Sequence, residues 1–315
     1  MAGSLIVFGM ETVVLRNFDL GRAVACLKSG EPVVFPTETV YGLGAPLFHE
    51  EGIRRIFAIK GRPSDNPLIA HISSLDEANR LSDELPLWFY MLAEAFWPGP
   101  LAMVVKRRSC VPAIVSAGHP TLAIRMPSHP IARRLIEAVG EPLAAPSANL
   151  SGRPSPTRLE DVLEDLNGKV RFAIEGGDCE VGIESTVVSV FDSVPVLLRP
   201  GKITREMLEE VLGMPVALPS PSGPILSPGM KYRHYSPRAA LRVVTKAEDL
   251  RGSFILSAVS VPGKSVRPLN AKTFYAQLRE GDRLGAPEIE IYCDPTVQND
   301  EGLMNRLLRA SGLVH

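Results

Sequence analysis

The chain lacks an excess of charge of either sign: 34 Lys and Arg stand against 35 Asp and Glu in 315 residues, a formal net charge of −1. No global field marks it as a nucleic-acid binder, which leaves at most a local basic cleft for that purpose. Cysteine is scarce too. Cys26, Cys110, Cys179 and Cys293 are scattered, with no pair at metal-ligand spacing. That excludes a disulfide framework and reads as thiols in a reducing cytosol. The N-terminus shows no basic segment followed by an apolar stretch and a small-residue cleavage site. The one long uncharged run, 213–230, contains Pro215, Pro219, Pro221, Pro224 and Pro228, which forbid a membrane-spanning helix. Also missing are a phosphate-loop glycine signature, a defensible Ser-His-Asp order and a metal-ligand array. What remains is the expectation of a soluble, cytoplasmic protein.

At 315 residues the chain suits a large domain plus a small one. The proline-rich run is the clearest boundary, giving residues 1–212, a linker over 213–238 and a small domain over 239–315. Before it, the apolar pattern predicts strands from Glu31 to Phe35, Leu101 to Lys106, Thr121 to Met126, Pro142 to Pro146, Phe172 to Ile174, Ser185 to Val190 and Val196 to Leu198. Helical spacing predicts helices from Ile53 to Lys60, Trp88 to Phe96, Pro130 to Val139, Leu159 to Leu166 and Thr204 to Leu212. After it, strands are expected from Leu241 to Val244, Phe254 to Ala258 and Glu288 to Cys293. Helices are expected there from Ala271 to Leu284 and Gly302 to Ala310. Interleaved strands and helices mean an α/β fold in both parts.

Several clusters carry chemistry. In 60–67, Lys60 and Arg62 lie at a helix end, with Ser64 and Asn66, in a loop stiffened by Pro63 and Pro67. Fixed cations of that kind suit a polyanion, against the plainer reading of a solvated loop. Residues 36–44 place Thr37, Glu38, Thr39 and Tyr41 beside a flexible Gly42-Leu43-Gly44, where a ligand site and a helix-capping turn are both open. Alternation over Thr121–Arg125 puts Arg125 on a strand face with Thr121, so it needs an anion: a substrate carboxylate or a structural Asp or Glu. Residues 144–155 combine small residues with Ser147, Asn149 and Ser155. Residues 182–188 open a strand with Ser185 and Thr186, and Arg199 ends another. His71, just past the basic loop, is a site candidate, while His49, His119, His129 and His315 read as structural or solvated.

In their order and spacing, PTETVYGLG, KGRPSDNPL, SAGHPTLAIRMP, APSANLSGRPSPT, GIESTVV and LRPG resemble the YrdC-like threonylcarbamoyl-AMP synthases. The linker SPGMKYRHYSP before a small α/β part is similar to the longer, two-domain branch of that family. The resemblance implies a large twisted-sheet YrdC-like domain and a small Rossmann-like α/β domain joined by the proline-rich linker. It implies that L-threonine, bicarbonate and ATP give threonylcarbamoyl-adenylate and pyrophosphate, with Mg²⁺ accompanying the ATP. The product would feed the machinery that makes threonylcarbamoyladenosine in tRNA. By the same resemblance Thr39, His71, Arg125, Ala145 and Ser185 are the threonine contacts. Arg62, Asn66, Thr121, Ser147, Ser155 and Arg199 are the ATP contacts, with Lys60 close to the phosphates.

Within the linker, 227–237, Lys231, Arg233 or His234 is expected to meet the phosphates, with the segment folding back over the nucleotide site. Two rival readings are a duplex-RNA or tRNA binding module and a carbamoyl-transfer domain using carbamoyl phosphate. Near-zero net charge argues against the first, and the lack of zinc-finger cysteines and acylphosphatase-like segments against the second.

Overall fold

A computed structural model describes residues 11–16, 20–219 and 234–313. The chain opens with β1 (Val13–Leu15), α1 (Gly21–Lys28), β2 (Val33–Phe35) and β3 (Gly42–Pro46). Next come α2 (Glu50–Lys60), β4 (Ile69–His71), α3 (Leu75–Leu81), α4 (Leu87–Phe96) and β5 (Leu101–Lys106). They are followed by β6 (Thr121–Arg125), α5 (Pro130–Val139), β7 (Leu143–Ala145), α6 (Leu159–Leu166) and β8 (Phe172–Ile174). Then β9 (Thr186–Ser189), β10 (Val196–Arg199) and α7 (Arg205–Leu212) complete the larger part. Beyond it stand β11 (Ala240–Val244), β12 (Ile255–Ser257), β13 (Arg267–Pro268), α8 (Phe274–Arg283), β14 (Glu288–Tyr292), α9 (Pro295–Gln298) and α10 (Glu301–Ser311).

Strands β1 to β10 make one mixed sheet, ordered β1-β8-β2-β3-β7-β4-β6-β5-β9-β10. A second, all-parallel sheet is ordered β11-β14-β12-β13. The period-2 reading of β6 holds: Leu122 and Ile124 pack with Met103, Val105 and the α4 residues Phe89 and Leu92. Ala123 faces the other way, among Ala102, Val104 and Val187. Helix α5 starts at Pro130 and stops at Gly140, and its Ile131, Leu135, Ile136 and Val139 cover Val33, Phe35 and Phe172. Helix α7 buries Leu208 and Leu212 in the same cluster as β5 and α4, so it packs as part of the large-sheet unit. Among the described residues no helix is long and apolar enough to cross a membrane.

Three local expectations change. Residues 36–41 do not lead into a helix; they turn β2 into β3, an antiparallel pair with Phe35 opposite Gly42. The glycines there serve packing, not flexibility, since a Cβ on Gly44 would lie 2.6 Å from Cε1 of Phe35. Helix α2 begins at Glu50 because His49 Nδ1 accepts from Gly52 N at 3.1 Å. His129 likewise caps α5, accepting from Ile131 N at 3.2 Å. The linker residues Lys231 and Arg233, and His315, lie outside the described residues.

The two sheets share a seam. Val40 and Ile183 of the large unit sit in one apolar cluster with Tyr235, Phe274, Tyr275 and Leu303. Ion pairs cross it: Arg279 to Asp165 at 2.9 Å, Arg283 to Asp161 at 2.9 Å and Arg306 to Glu184 at 3.0 Å. Gly182 has φ +83°, and a Cβ on it would lie 2.3 Å from Lys272 Cα across that seam. We expect Gly182→Ala to cost at least about 2 kcal/mol, from strained backbone and overpacking together. Urea denaturation of the full chain reads this directly; a change under a few tenths of that would show the seam to be loose.

Candidate active site

A cleft enclosing about 750 Å³, its open mouth included, lies where the β2–β3 turn, the end of α2, β4, β6, the loop after β7 and the 184–185 stretch converge. Of the residues singled out in the sequence, Thr39, His71, Arg125, Ala145 and Ser185 all line it. So do Lys60, Arg62, Ser147, Arg199 and His234. Asn66, Thr121 and Ser155 are buried and stand outside its wall.

One end is built around Arg125. Parallel pairing of β4 with β6 sets His71 directly beside it. Its Nη2 is 2.6 Å from Glu38 Oε1, Nη1 donates to Thr39 Oγ1 at 2.9 Å, and Nε donates to Gly99 O at 3.3 Å. The anion demanded by a buried arginine is thus Glu38 in the first instance. Sequence reasoning placed Glu38 among the polar residues of the 36–44 turn without pairing it with Arg125, although it is the lone carboxylate there. Burial works to raise the Glu38 carboxyl, and the Arg125 charge overrides it and holds the group below its ordinary value. Thr37 Oγ1 locks the turn, lying 2.9 Å from Thr39 Oγ1 and donating to Val40 O at 2.6 Å. Burial, and then Arg125, push His71 down to about 3, so its imidazole is neutral at pH 7. Its Nδ1 lies 3.1 Å from Ile69 O; donating there leaves Nε2 as an acceptor. Thr121 stands at the opposite end of β6, four residues and about 13 Å from Arg125.

The other end is cationic. Gly61, at φ 59°, stops α2 and directs Lys60 and Arg62 to the cleft. Lys60 Nζ donates to Ser147 O and Asn149 O, and burial followed by the Arg62 charge depresses its pKa well below the ordinary value. It therefore ties α2 to the loop after β7 as well as facing the cleft. Arg62 braces its own loop, Nε donating to Asn66 O at 3.2 Å and Nη2 to Pro67 O at 2.9 Å. Burial draws its pKa down to about 10, which leaves it charged at pH 7. Arg199 donates to Ser185 O from Nε at 3.1 Å and from Nη2 at 2.9 Å. Ser155 does its work one step back, donating to Glu184 Oε1 at 2.5 Å. His234 leans against Tyr235, ring centroids 5.5 Å apart, and Tyr235 against Tyr275 at 5.3 Å. Burial and then Arg62 bring His234 down to about 4.

A family model described as telomere recombination matches residues 25–201, and one described as threonylcarbamoyl-AMP synthase, C-terminal domain, matches residues 203–312. The chain is 41% identical over 327 residues to the threonylcarbamoyl-AMP synthase of Pyrococcus abyssi, covering 95% of each. The chain belongs to the threonylcarbamoyl-AMP synthase family. It is also 46% identical to the Bacillus subtilis threonylcarbamoyl-AMP synthase, covering 93% of each. The crystal structure of Pyrococcus abyssi Sua5 complexed with L-threonine superposes with a TM-score of 0.86 at 38% identity, over 96% of this chain and 97% of that one. Both sheets therefore belong to the two-domain form of this family. The second family span begins before α7, whose apolar face nonetheless packs on the large sheet.

The neutral histidines make a pH prediction. His71 and His234 have folded pKa values of about 3 and about 4, below the ordinary 6.5. Below pH 6.5 the unfolded chain binds more protons than the folded one, so stability falls as pH drops from there toward 4. Each imidazole contributes a slope approaching about 1.4 kcal/mol per pH unit in that window. Glu38 and Glu184, whose pKa values are depressed, lose their contribution only at lower pH, as it falls through their folded values. Urea midpoints measured from pH 7 to 5 should fall, and His71→Gln should flatten the slope; a slope unchanged by that substitution would contradict it.

Proposed function

We infer that the protein condenses L-threonine, bicarbonate and ATP into threonylcarbamoyl-AMP, releasing pyrophosphate, and so supplies the machinery that makes threonylcarbamoyladenosine in tRNA. One observation carries this reading: a single cleft sets Arg125, with Thr39 and neutral His71, at one end and Arg62, Lys60 and Arg199 at the other. The threonine carboxylate would take the guanidinium of Arg125 opposite Glu38, with Ala145 and Ser185 completing its surroundings. The triphosphate would take Arg62, Arg199, Ser147 and Lys60. Asn66 acts through the loop that holds Arg62, and Ser155 through Glu184. Thr121, buried at the far end of β6 outside the cleft wall, is given no direct contact in this reading. Among the described residues no three His, Cys, Asp or Glu side chains gather to hold a metal. Mg²⁺ would thus be carried by phosphate oxygens and water, where it would offset charge on the triphosphate.

The chemistry needs no covalent link to the protein. The threonine amine attacks bicarbonate and water leaves, giving a carbamate. A carbamate oxygen then attacks the α-phosphorus, and the bond to the β-phosphate breaks to release pyrophosphate. Fixed cations and two reactants held in line supply most of the acceleration. Of the 227–237 segment expected to close over the site, only 234–237 are described, and His234 does line the cleft. A cytosolic setting fits the four free thiols.

Mass spectrometry of the pure protein with its reactants tests this. The adenylate should form only when ATP, threonine and bicarbonate are all present. Serine should be the poorer substrate, as the threonine methyl is worth about 1 kcal/mol or more in a fitted site. Equal turnover of serine would contradict the assignment. Arg125→Lys, which keeps the charge and loses the planar fork, should weaken threonine binding by about 1.5–3 kcal/mol. Calorimetry showing unchanged threonine affinity would remove Arg125 from that role.

A further inference from the structure

Arg306 lies on α10, in the C-terminal unit, and is completely buried. Its Nε donates to Glu184 Oε2 at 3.0 Å, its Nη2 to Glu184 O at 2.9 Å, and its Nη1 to Pro200 O. It can do this because Gly302, one turn earlier, lets the helix come close. A Cβ on Gly302 would lie 2.9 Å from Ile183 Cδ1 and 3.1 Å from Gly201 Cα. The same carboxylate oxygen accepts from Tyr275 Oη at 2.9 Å, and Tyr275 belongs to α8 of the same unit.

These contacts grip two points of the large unit, 184 and 200, each next to a cleft residue. Ser185 follows the first and Arg199 precedes the second, and Arg199 donates to Ser185 O. Two guanidinium groups, Arg199 and Arg306, flank Glu184, and each lowers the pKa of its carboxyl. Were Arg306 gone, the Glu184 carboxylate would turn wholly to Arg199 and cancel the cation that faces the cleft. A buried charge stripped of its partner does not stay in place.

We propose that Arg306 is a positioning residue of the synthase site: by holding Glu184 and Pro200 it keeps Arg199 presented to the nucleotide. The C-terminal unit then supplies part of the active site's framework, beyond any docking role. This rests on the synthase reading of the cleft.

Full-length Arg306→Lys keeps a charge and loses the three-way grip. Arg283→Lys weakens a different ion pair of the same seam, one that touches nothing in the cleft. Tyr275→Phe removes one hydroxyl from Glu184 and nothing else. For each, KM for ATP, kcat for adenylate and the melting temperature are measured. Arg306→Lys should raise the ATP KM at least tenfold with kcat within threefold, and Tyr275→Phe should raise it severalfold. Arg283→Lys should keep both constants within twofold whatever its melting temperature. An Arg306→Lys enzyme with an ATP KM within twofold of the parent would overturn the proposal. So would an equal loss in Arg283→Lys. If Arg306→Lys does not fold, Tyr275→Phe decides: an unchanged ATP KM overturns the proposal. If the parent protein makes no adenylate, the synthase reading fails by itself. Calorimetric titration of the same variants with ATP then reads the positioning claim: equal affinities overturn it, and a tenfold loss in Arg306→Lys with a severalfold loss in Tyr275→Phe, absent from Arg283→Lys, supports it.

Discussion

A carboxylate buried at the junction of two sheets must be neutralised where it stands, and Glu184 is the one on which this molecule turns. Ser155 reaches it from the loop after β7, Tyr275 from α8 and Arg306 from α10. Three segments distant in sequence are thereby fixed at one point. Such a pair adds little net stability over apolar packing, but leaving either partner alone is costly. Its value here is geometric. The cleft's far wall, with Ser185 and Arg199, takes its position from it.

The opposite wall follows the same logic. Arg125 is held by Glu38, Thr39 and Gly99, so its direction is set before any carboxylate arrives. His71 and His234 are kept neutral by burial, which limits the positive charge of the cleft to lysine and arginine. Lys60 and Arg62 spend hydrogen bonds on backbone carbonyls, trading some free donors for rigidity. Preorganised cations need no rearrangement as charge builds on the phosphates.

Much of this was legible in the sequence. The alternation of β6, the Pro130 start and Gly140 stop of α5, and the ordered motifs all point to the observed fold and to most of the cleft wall. These signals are local: each depends on neighbours within a few residues. What escaped was long-range or cooperative. Glu38 looked like one polar residue among several until the sheet brought Arg125 to it. Gly42 and Gly44 looked flexible, because nothing local says that Phe35 lies across them. Arg306 and Tyr275 sat in helices expected from spacing alone, and no helical period shows that a second unit covers their polar positions. Nor were β1, α1 and α3 expected from the sequence.

Coupling between Glu184 and Arg306 across the seam fixes the far wall of the cleft. The direct measurement is a double-mutant cycle in the full-length protein, with Glu184→Gln, Arg306→Met and both together, read as kcat/KM for ATP in threonine-dependent pyrophosphate release. If the two side chains act as one unit, the double variant should be no worse than the poorer single one, a coupling of about 1–3 kcal/mol. Losses that simply add would show that Arg306 and Glu184 act separately, and the framework argued here would not hold.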